Sequence, residues 1–175
     1  AAIDRGIYLI PEDRKGCGLL LDLSIAENVS LPDLASYSSL GLVDTAREYE
    51  NADRQRERLK IRTTDVRTSV STLSGGNQQK VVLAKWLSMR PKVLIFDEPT
   101  RGIDVGAKYE IYTIINQLAA EGKGILMISS EMPELLGTCD RIYVMNEGRI
   151  VAELSKEEAS QESIMRAIMR SGEKH

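Results

Sequence analysis

The sequence predicts an α/β fold built on a mainly parallel sheet. Three observations carry that reading. Val93-Leu94-Ile95-Phe96 is an unbroken apolar run of the kind that fills a strand buried on both faces. From Lys92 onward such short runs alternate with helical-period segments. Just before them Ser74-Gly75-Gly76 opens an amphipathic segment, a place where backbone N–H groups and a helix dipole can hold an anion.

Ile7 to Ile10 reads as a strand stopped by Pro11 and followed by an exposed polar loop, Glu12 to Gly18. Ser24-Ile25-Ala26-Glu27 has the capping-box form and predicts a short helix that Pro32 ends. From Thr45 to Ile61 charges of both signs alternate, which predicts a solvated helix rather than a nucleic-acid arm. After Ser74 a helix places Val82, Leu83, Trp86 and Leu87 on one face. Lys92 to Asp97 is the apolar strand. Ala107 to Ala120 is a helix with Ile111, Ile114, Ile115 and Leu118 inward, and Gly122-Lys123 is the turn that ends it. Gly124 to Ser129 is a strand, Met132 to Leu136 a short helix and Arg141 to Met145 a further strand. Asn146-Glu147-Gly148 turns the chain into a hairpin partner, Arg149 to Leu154. Ser163 to Arg170, with Ile164, Ala167 and Ile168 on one stripe, is a terminal helix.

Composition narrows the function classes. The 175 residues suit about one average domain. Lys plus Arg at 23 against Asp plus Glu at 26 leaves a net charge of −3 without a single-sign block, so no nucleic-acid partner is expected. No apolar run is long enough to span a bilayer. Cys17 and Cys139 are isolated thiols without metal-ligand spacing, as in a reducing compartment. The chain opens at Ala1 without a methionine and reads as a fragment. Its one histidine is the terminal His175, so a mechanism needing an internal imidazole is excluded from it.

Two stretches carry chemistry. Asp97 and Glu98 emerge together at the carboxyl end of the buried strand, the edge where open α/β sheets bind ligands. Asp97 can hold Mg²⁺ through water and Glu98 can polarise an attacking water, as hydrolysis of a γ-phosphate requires. The same acids can equally cap the strand and start the turn at Pro99. Ser74 can cap its helix and donate its hydroxyl, while Gly75 and Gly76 admit a phosphate close to the backbone. Ser-Gly-Gly is also a common way for a loop to begin a helix. The loop G-x-x-x-x-G-K-[S/T] occurs nowhere in the chain, so it holds half of a phosphate site.

Together these motifs are more specific. L-S-G-G-x-x-Q-K, with D-E-P-T starting 23 residues after Ser74 and Arg101-Gly102-Ile103-Asp104 following, resembles the ATP-binding cassette (ABC) ATPases. LSGGNQQK, DEPTRGIDVGAK, SSEMPELLG and DRIYVMNEGRI, with PEDRK near the start, resemble the second cassette of the tandem ATPase of ribose- and galactose-type bacterial sugar importers. The resemblance covers essentially the whole chain. It implies a RecA-like P-loop NTPase core in residues 1–23 and 91–154, a helical subdomain inserted over 24–90 and a C-terminal helix over 155–175. It also implies truncation at the N-terminus, with the Walker A loop upstream of Ala1.

By the same resemblance the cofactors are ATP and Mg²⁺. Asp97 matches the Walker B aspartate, Glu98 the catalytic glutamate and Asp104 the D-loop aspartate. Ser74, Gly75, Gly76 and Gln78 match the signature motif that faces the γ-phosphate of ATP held by the other cassette. Two positions depart from the family: Glu12 stands where the Q-loop glutamine is expected, and Ser130 where the switch histidine is expected. A serine supplies no imidazole. The implied partners are the upstream cassette of the same polypeptide, membrane permease subunits and, indirectly, a periplasmic sugar-binding protein, at the cytoplasmic face of the inner membrane. The implied function is that of an ATP-hydrolysing subunit of a monosaccharide importer, inactive as an isolated piece. The alternatives are a non-hydrolysing regulatory cassette, a soluble non-transport ABC ATPase and an interaction scaffold.

Overall fold

The structure is a computed structural model and describes residues 2–39 and 41–172; Ala1 and His175 lie outside the described residues. The chain divides into two compact units, Ala1–Ile128 and Ser129–His175.

The first unit is built around a three-stranded parallel sheet in the order β1-β4-β5, where β1 is Ile7–Ile10, β4 is Val93–Asp97 and β5 is Gly124–Ile128. Register pairs Ile10 with Phe96 and Asp97 with Ile128, so the carboxylate run leaves from the central strand. Tyr8, Ile10, Leu94 and Phe96 lie on the buried face. The other face carries a row of Leu9, Ile95 and Leu126, with Leu9 and Leu126 each 49% exposed. The expectation of burial on both faces therefore holds for one face only, because the described helices supply a single covering layer.

That layer begins with α1 (Ile25–Ser30), closed by the predicted capping box: Ser24 Oγ accepts from the Glu27 amide and the Glu27 carboxylate accepts from the Ser24 amide. Buried Asn28 fixes the approach to α1, accepting from the Leu20 amide at 2.8 Å and donating to the Leu20 and Ser24 carbonyls. A 3₁₀ segment with Pro32 in its first turn follows, Leu31–Tyr37. The strands β2 (Ser38–Ser39) and β3 (Leu42–Val43) pair antiparallel at the surface. α2 (Thr45–Leu59) has the predicted span but is not solvated all round. Glu48, Asn51, Ala52, Gln55 and Leu59 form a buried stripe, in which Glu48 accepts from Ser30 and Asn51 donates to Ser88 at 3.1 Å.

The central helix is α3 (Gly75–Leu87). It is not amphipathic as expected: Gln78, Gln79, Lys80 and Lys85 are buried together with Val81, Val82 and Leu83, while Trp86 is only half-buried. Lys80 reaches the Lys60 carbonyl at 2.9 Å and the Glu110 carboxylate at 2.8 Å. That contact, with Arg62 on the other Glu110 oxygen, holds the Glu110 carboxyl below its usual range. Glu110 belongs to α4 (Val105–Ala120), which ends at the predicted turn, with Gly122 at φ 84° and its amide on the Ala119 carbonyl. α3 and α4 approach so closely that a Cβ on Gly76 would stand 2.5 Å from the Ala107 Cβ.

The second unit contains α5 (Met132–Thr138), β6 (Arg141–Asn146), β7 (Arg149–Ser155) and α6 (Gln161–Gly172). β6 and β7 form the expected hairpin, with Glu147 at φ 48° and Gly148 at φ 74°, the two positive values of a type I′ turn. Among the described residues β6 pairs only with β7, antiparallel, as the hairpin expectation requires. Ile164 of α6 packs on Ile142 and Val144.

The Gly76 contact predicts an asymmetry between two neighbouring glycines. Gly76→Ala should lower unfolding free energy by about 1–3 kcal/mol, the usual cost of overpacking. Gly75→Ala should cost less, since its new methyl meets no carbon of a packed helix but the Arg14 guanidinium at 2.9 Å and the Gly102 carbonyl at 3.4 Å, so the cost is the weakening of the Arg14 hydrogen bonds alone. Urea unfolding of both variants checks this; equal stability would remove the α3–α4 contact as the reason for Gly76.

Candidate functional site

The N-terminal turn of α3 is the first element of the site. In any helix the first-turn amides lack intrahelical partners. Here the N-cap is Ser74, and its side chain makes no capping hydrogen bond. Its hydroxyl accepts instead from Asn77 Nδ2 at 3.0 Å, which corrects the expectation that Ser74 caps the helix. The amides of Gly75 and Gly76 are thus left to the positive end of the helix dipole. Ser74 is exposed, whereas Gly76 is buried against α4. Gly76 therefore has a packing reason for its missing side chain in addition to any ligand. Gln78 faces inward: it is buried and its Nε2 donates to the Val70 carbonyl at 3.2 Å. The structure thus gives Gln78 a supporting place behind the turn.

The second element is the carboxyl end of β4. Asp97 is the last strand residue and is half-buried. Glu98 turns the chain sharply through φ 46°, a left-handed conformation uncommon for a non-glycine residue. Its amide donates to Ile128 at 2.9 Å and its carbonyl accepts from Arg101 at 3.1 Å. Strained backbone of this sort gathers at functional sites. Thr100 and Ile103 are buried, so the turn is held from below. Asp104 then caps α4, its carboxylate accepting from the Ala107 amide at 3.0 Å while its residue remains exposed. Among the described residues no group of three or more His, Cys, Asp or Glu could hold a metal alone. A magnesium ion at Asp97 fits that arrangement only with phosphate and water completing its shell, its usual mode of binding.

Glu12 is exposed at the end of β1 and ion-paired with Arg101. The expected exposed loop beyond it is an ordered π-helical turn, Arg14–Gly18, capped by Asp13. The Asp13 carboxylate accepts from Lys15 and Gly16 amides at 3.2 and 2.9 Å. Arg14, which the sequence reading passed over, donates to the Arg101 and Gly102 carbonyls at 2.9 and 3.3 Å. Lys85, also missed, donates to the Gly18 carbonyl at 3.1 Å, and burial pushes its ammonium pKa down. The signal for both is faint: a cation in the polar loop, and one on the face of a helix whose neighbours are apolar.

Within the first unit the contacts thus connect Glu12, the signature residues and Asp104. Ser130 belongs to the second unit, exposed ahead of α5, where Ser129 Oγ donates to the buried Glu134 carboxylate and accepts from the Glu131 amide at 3.0 Å.

Comparison with known proteins bears on the family and the fold. The ABC transporter family profile matches residues 3–101. The L-arabinose transport ATP-binding protein AraG of Geobacillus stearothermophilus is 59% identical over 169 residues, 97% of this chain and 33% of that protein. The ribose import ATP-binding protein RbsA of Bacillus subtilis (strain 168) is 56% identical over 164 residues, 94% of this chain and 33% of that protein. The chain therefore spans about a third of the length of these curated relatives. In fold it is similar to the ADP conformation of MJ1267, an ATP-binding cassette of an ABC transporter, with a TM-score of 0.74, 22% identity and coverage of 95% of this chain and 69% of that one. With the family profile spanning more than half of its residues, on a parallel sheet flanked by the helices of such a cassette, the chain belongs to the ABC transporter family.

Proposed function

We propose that this chain is part of the ATP-hydrolysing subunit of a bacterial monosaccharide importer, and that its signature turn completes an ATP site whose P-loop belongs to another cassette of the same polypeptide. The observation that carries the reading is the first turn of α3, which bears LSGG and whose serine makes no capping hydrogen bond to it. The names of the arabinose and ribose relatives support the substrate class, and their threefold greater length supports a longer parent with an upstream cassette. The implied cofactors are ATP and Mg²⁺.

In this reading Ser74 and the amides of Gly75 and Gly76 donate to the γ-phosphate across the cassette interface, where dehydration strengthens each hydrogen bond. Gln78 keeps the turn in place from within. Asp104 faces the partner cassette. At the chain's own site Asp97 holds the magnesium ion through water and Glu98 orients and polarises the attacking water. Ser130 cannot bridge phosphate and water as an imidazole would, and Glu12 adds a carboxylate where the family has a neutral amide. Both features favour slow turnover at this second site, and a regulatory, non-hydrolysing cassette is its limiting case. The segment beginning at Glu12 and the start of α1 meet the permease, which places the protein peripherally at the cytoplasmic face of the inner membrane. A periplasmic sugar-binding protein acts through that permease.

Two outcomes are expected. The purified 175-residue chain should release no phosphate from Mg-ATP, because a triphosphate has no P-loop amides or lysine to grip. Phosphate release that survives purification and is abolished by Glu98→Gln would overturn the split-site reading. In the full-length protein assembled with its permease, Ser74→Asp should reduce steady-state ATPase by at least about tenfold through repulsion of the γ-phosphate. Aspartate is as good an N-cap as serine, so thermal stability should be unchanged or slightly raised. Normal turnover in that variant would remove the signature turn from the phosphate.

A further inference from the structure

We propose that Arg14 is a positioning residue that locks the Arg101–Gly102 turn onto the N-terminus of α3, so that Asp104 and the signature amides are presented as one rigid surface. The proposal rests on the function proposed above and adds a part to it. Its geometry stands independently.

Arg14 Nη1 donates to the Arg101 carbonyl at 2.9 Å and Nη2 to the Gly102 carbonyl at 3.3 Å. A planar guanidinium holds two adjacent carbonyls in a fixed relation that an ammonium cannot reproduce. The same Nη2 lies over the signature turn, 2.9 Å from where a Cβ on Gly75 would be, and the Gly102 carbonyl lies 3.4 Å from that point. Arg14, Gly75 and Gly102 therefore meet in one small volume. Arg14 Nε is buried there without a hydrogen-bond partner. Leaving a buried donor unmade is costly, which argues that the side chain is held for the two carbonyls it does reach.

The base of the strap is fixed as well. Asp13 caps the π-helical turn that starts at Arg14, and Lys85 of α3 holds its far end through the Gly18 carbonyl. A Cβ on Gly18 would stand 3.2 Å from Val82, so that end sits directly on α3. Single π-helical turns recur at functional sites. On the outer side the Glu12 carboxylate pairs with the Arg101 guanidinium. The segment following β1 is thereby joined twice to the turn preceding Asp104, once through backbone carbonyls and once through side chains. Gly102, at φ 66°, sits in the left-handed region that lets its carbonyl face Arg14.

The test compares Arg14→Met and Arg14→Lys in the full-length protein. Hydrogen exchange without nucleotide reads the strap itself. In Arg14→Met the hydrogen-bonded amides of Arg101, Ile103 and Gln78 should exchange at least about tenfold faster, with Arg14→Lys intermediate and amides of the β4 strand unchanged. Unchanged exchange at Arg101 and Ile103 overturns the proposal whatever the activity. Steady-state ATPase with permease then reads the consequence: kcat should fall about 10- to 100-fold with KM for ATP within about threefold, since misplaced groups lose the transition state more than the ground state. Faster exchange with unaltered kcat also overturns the positioning role. A wild-type protein that hydrolyses no ATP overturns the proposed function instead, and the exchange result still decides the strap.

Discussion

The first unit depends on one unusual fact: α3 is buried around nearly its whole circumference although its first half is polar. Gln78, Gln79, Lys80 and Lys85 are enclosed with Val81, Val82 and Leu83. Burying such groups is costly unless each has a partner. Lys80 finds the Lys60 carbonyl and Glu110, Lys85 finds Gly18, and Gln78 Nε2 finds Val70, while the Gln78 Oε1 is left without a partner. Each of these bonds reaches a different part of the unit: the end of α2, α4, the segment after β1 and the turn before α3. The buried polar side chains of the signature helix are thus the hub on which its surroundings are hung.

Beside that hub the site residues are set by backbone more than by side-chain packing. Glu98 is placed by a left-handed residue at the end of the central strand, Asp104 by its own capping bond, and Gly76 by lack of room for a methyl group. Positions fixed by backbone geometry tolerate little displacement, which suits chemistry in which orientation supplies much of the rate. The carboxylates therefore sit at the end of the central strand, while the surrounding charges at Glu12 and Arg101 remain at the solvent boundary.

What the sequence made legible was local. The capping box at Ser24 and Glu27 and the hairpin turn at Asn146-Glu147-Gly148 depend on residues three apart or fewer, and both appear as expected. The α/β class and the order of the main strands and helices followed from apolar periodicity. What failed was nonlocal. Charge alternation in α2 hid a buried stripe because its partners, Ser30 and Ser88, lie 18 and 37 residues away. Ser74 was expected to cap α3, but Asn77 competes for its hydroxyl. Arg14 looked like ordinary loop polarity because its acceptors are carbonyls 87 and 88 residues downstream.

The half-covered sheet has a consequence for the behaviour of this polypeptide in a test tube. The row of Leu9, Ile95 and Leu126 offers water a hydrocarbon strip beside two strands, β1 and β5, whose outer edges carry no further strand among the described residues. Apolar area of that kind is worth about 25 cal/mol for each Å² removed from water, and open edges supply ready hydrogen-bond templates. Two molecules can satisfy both needs by meeting face to face or edge to edge. Handled alone and concentrated, the chain should become adhesive, sedimenting faster with rising concentration and adsorbing to hydrophobic surfaces, while its site residues remain correctly folded.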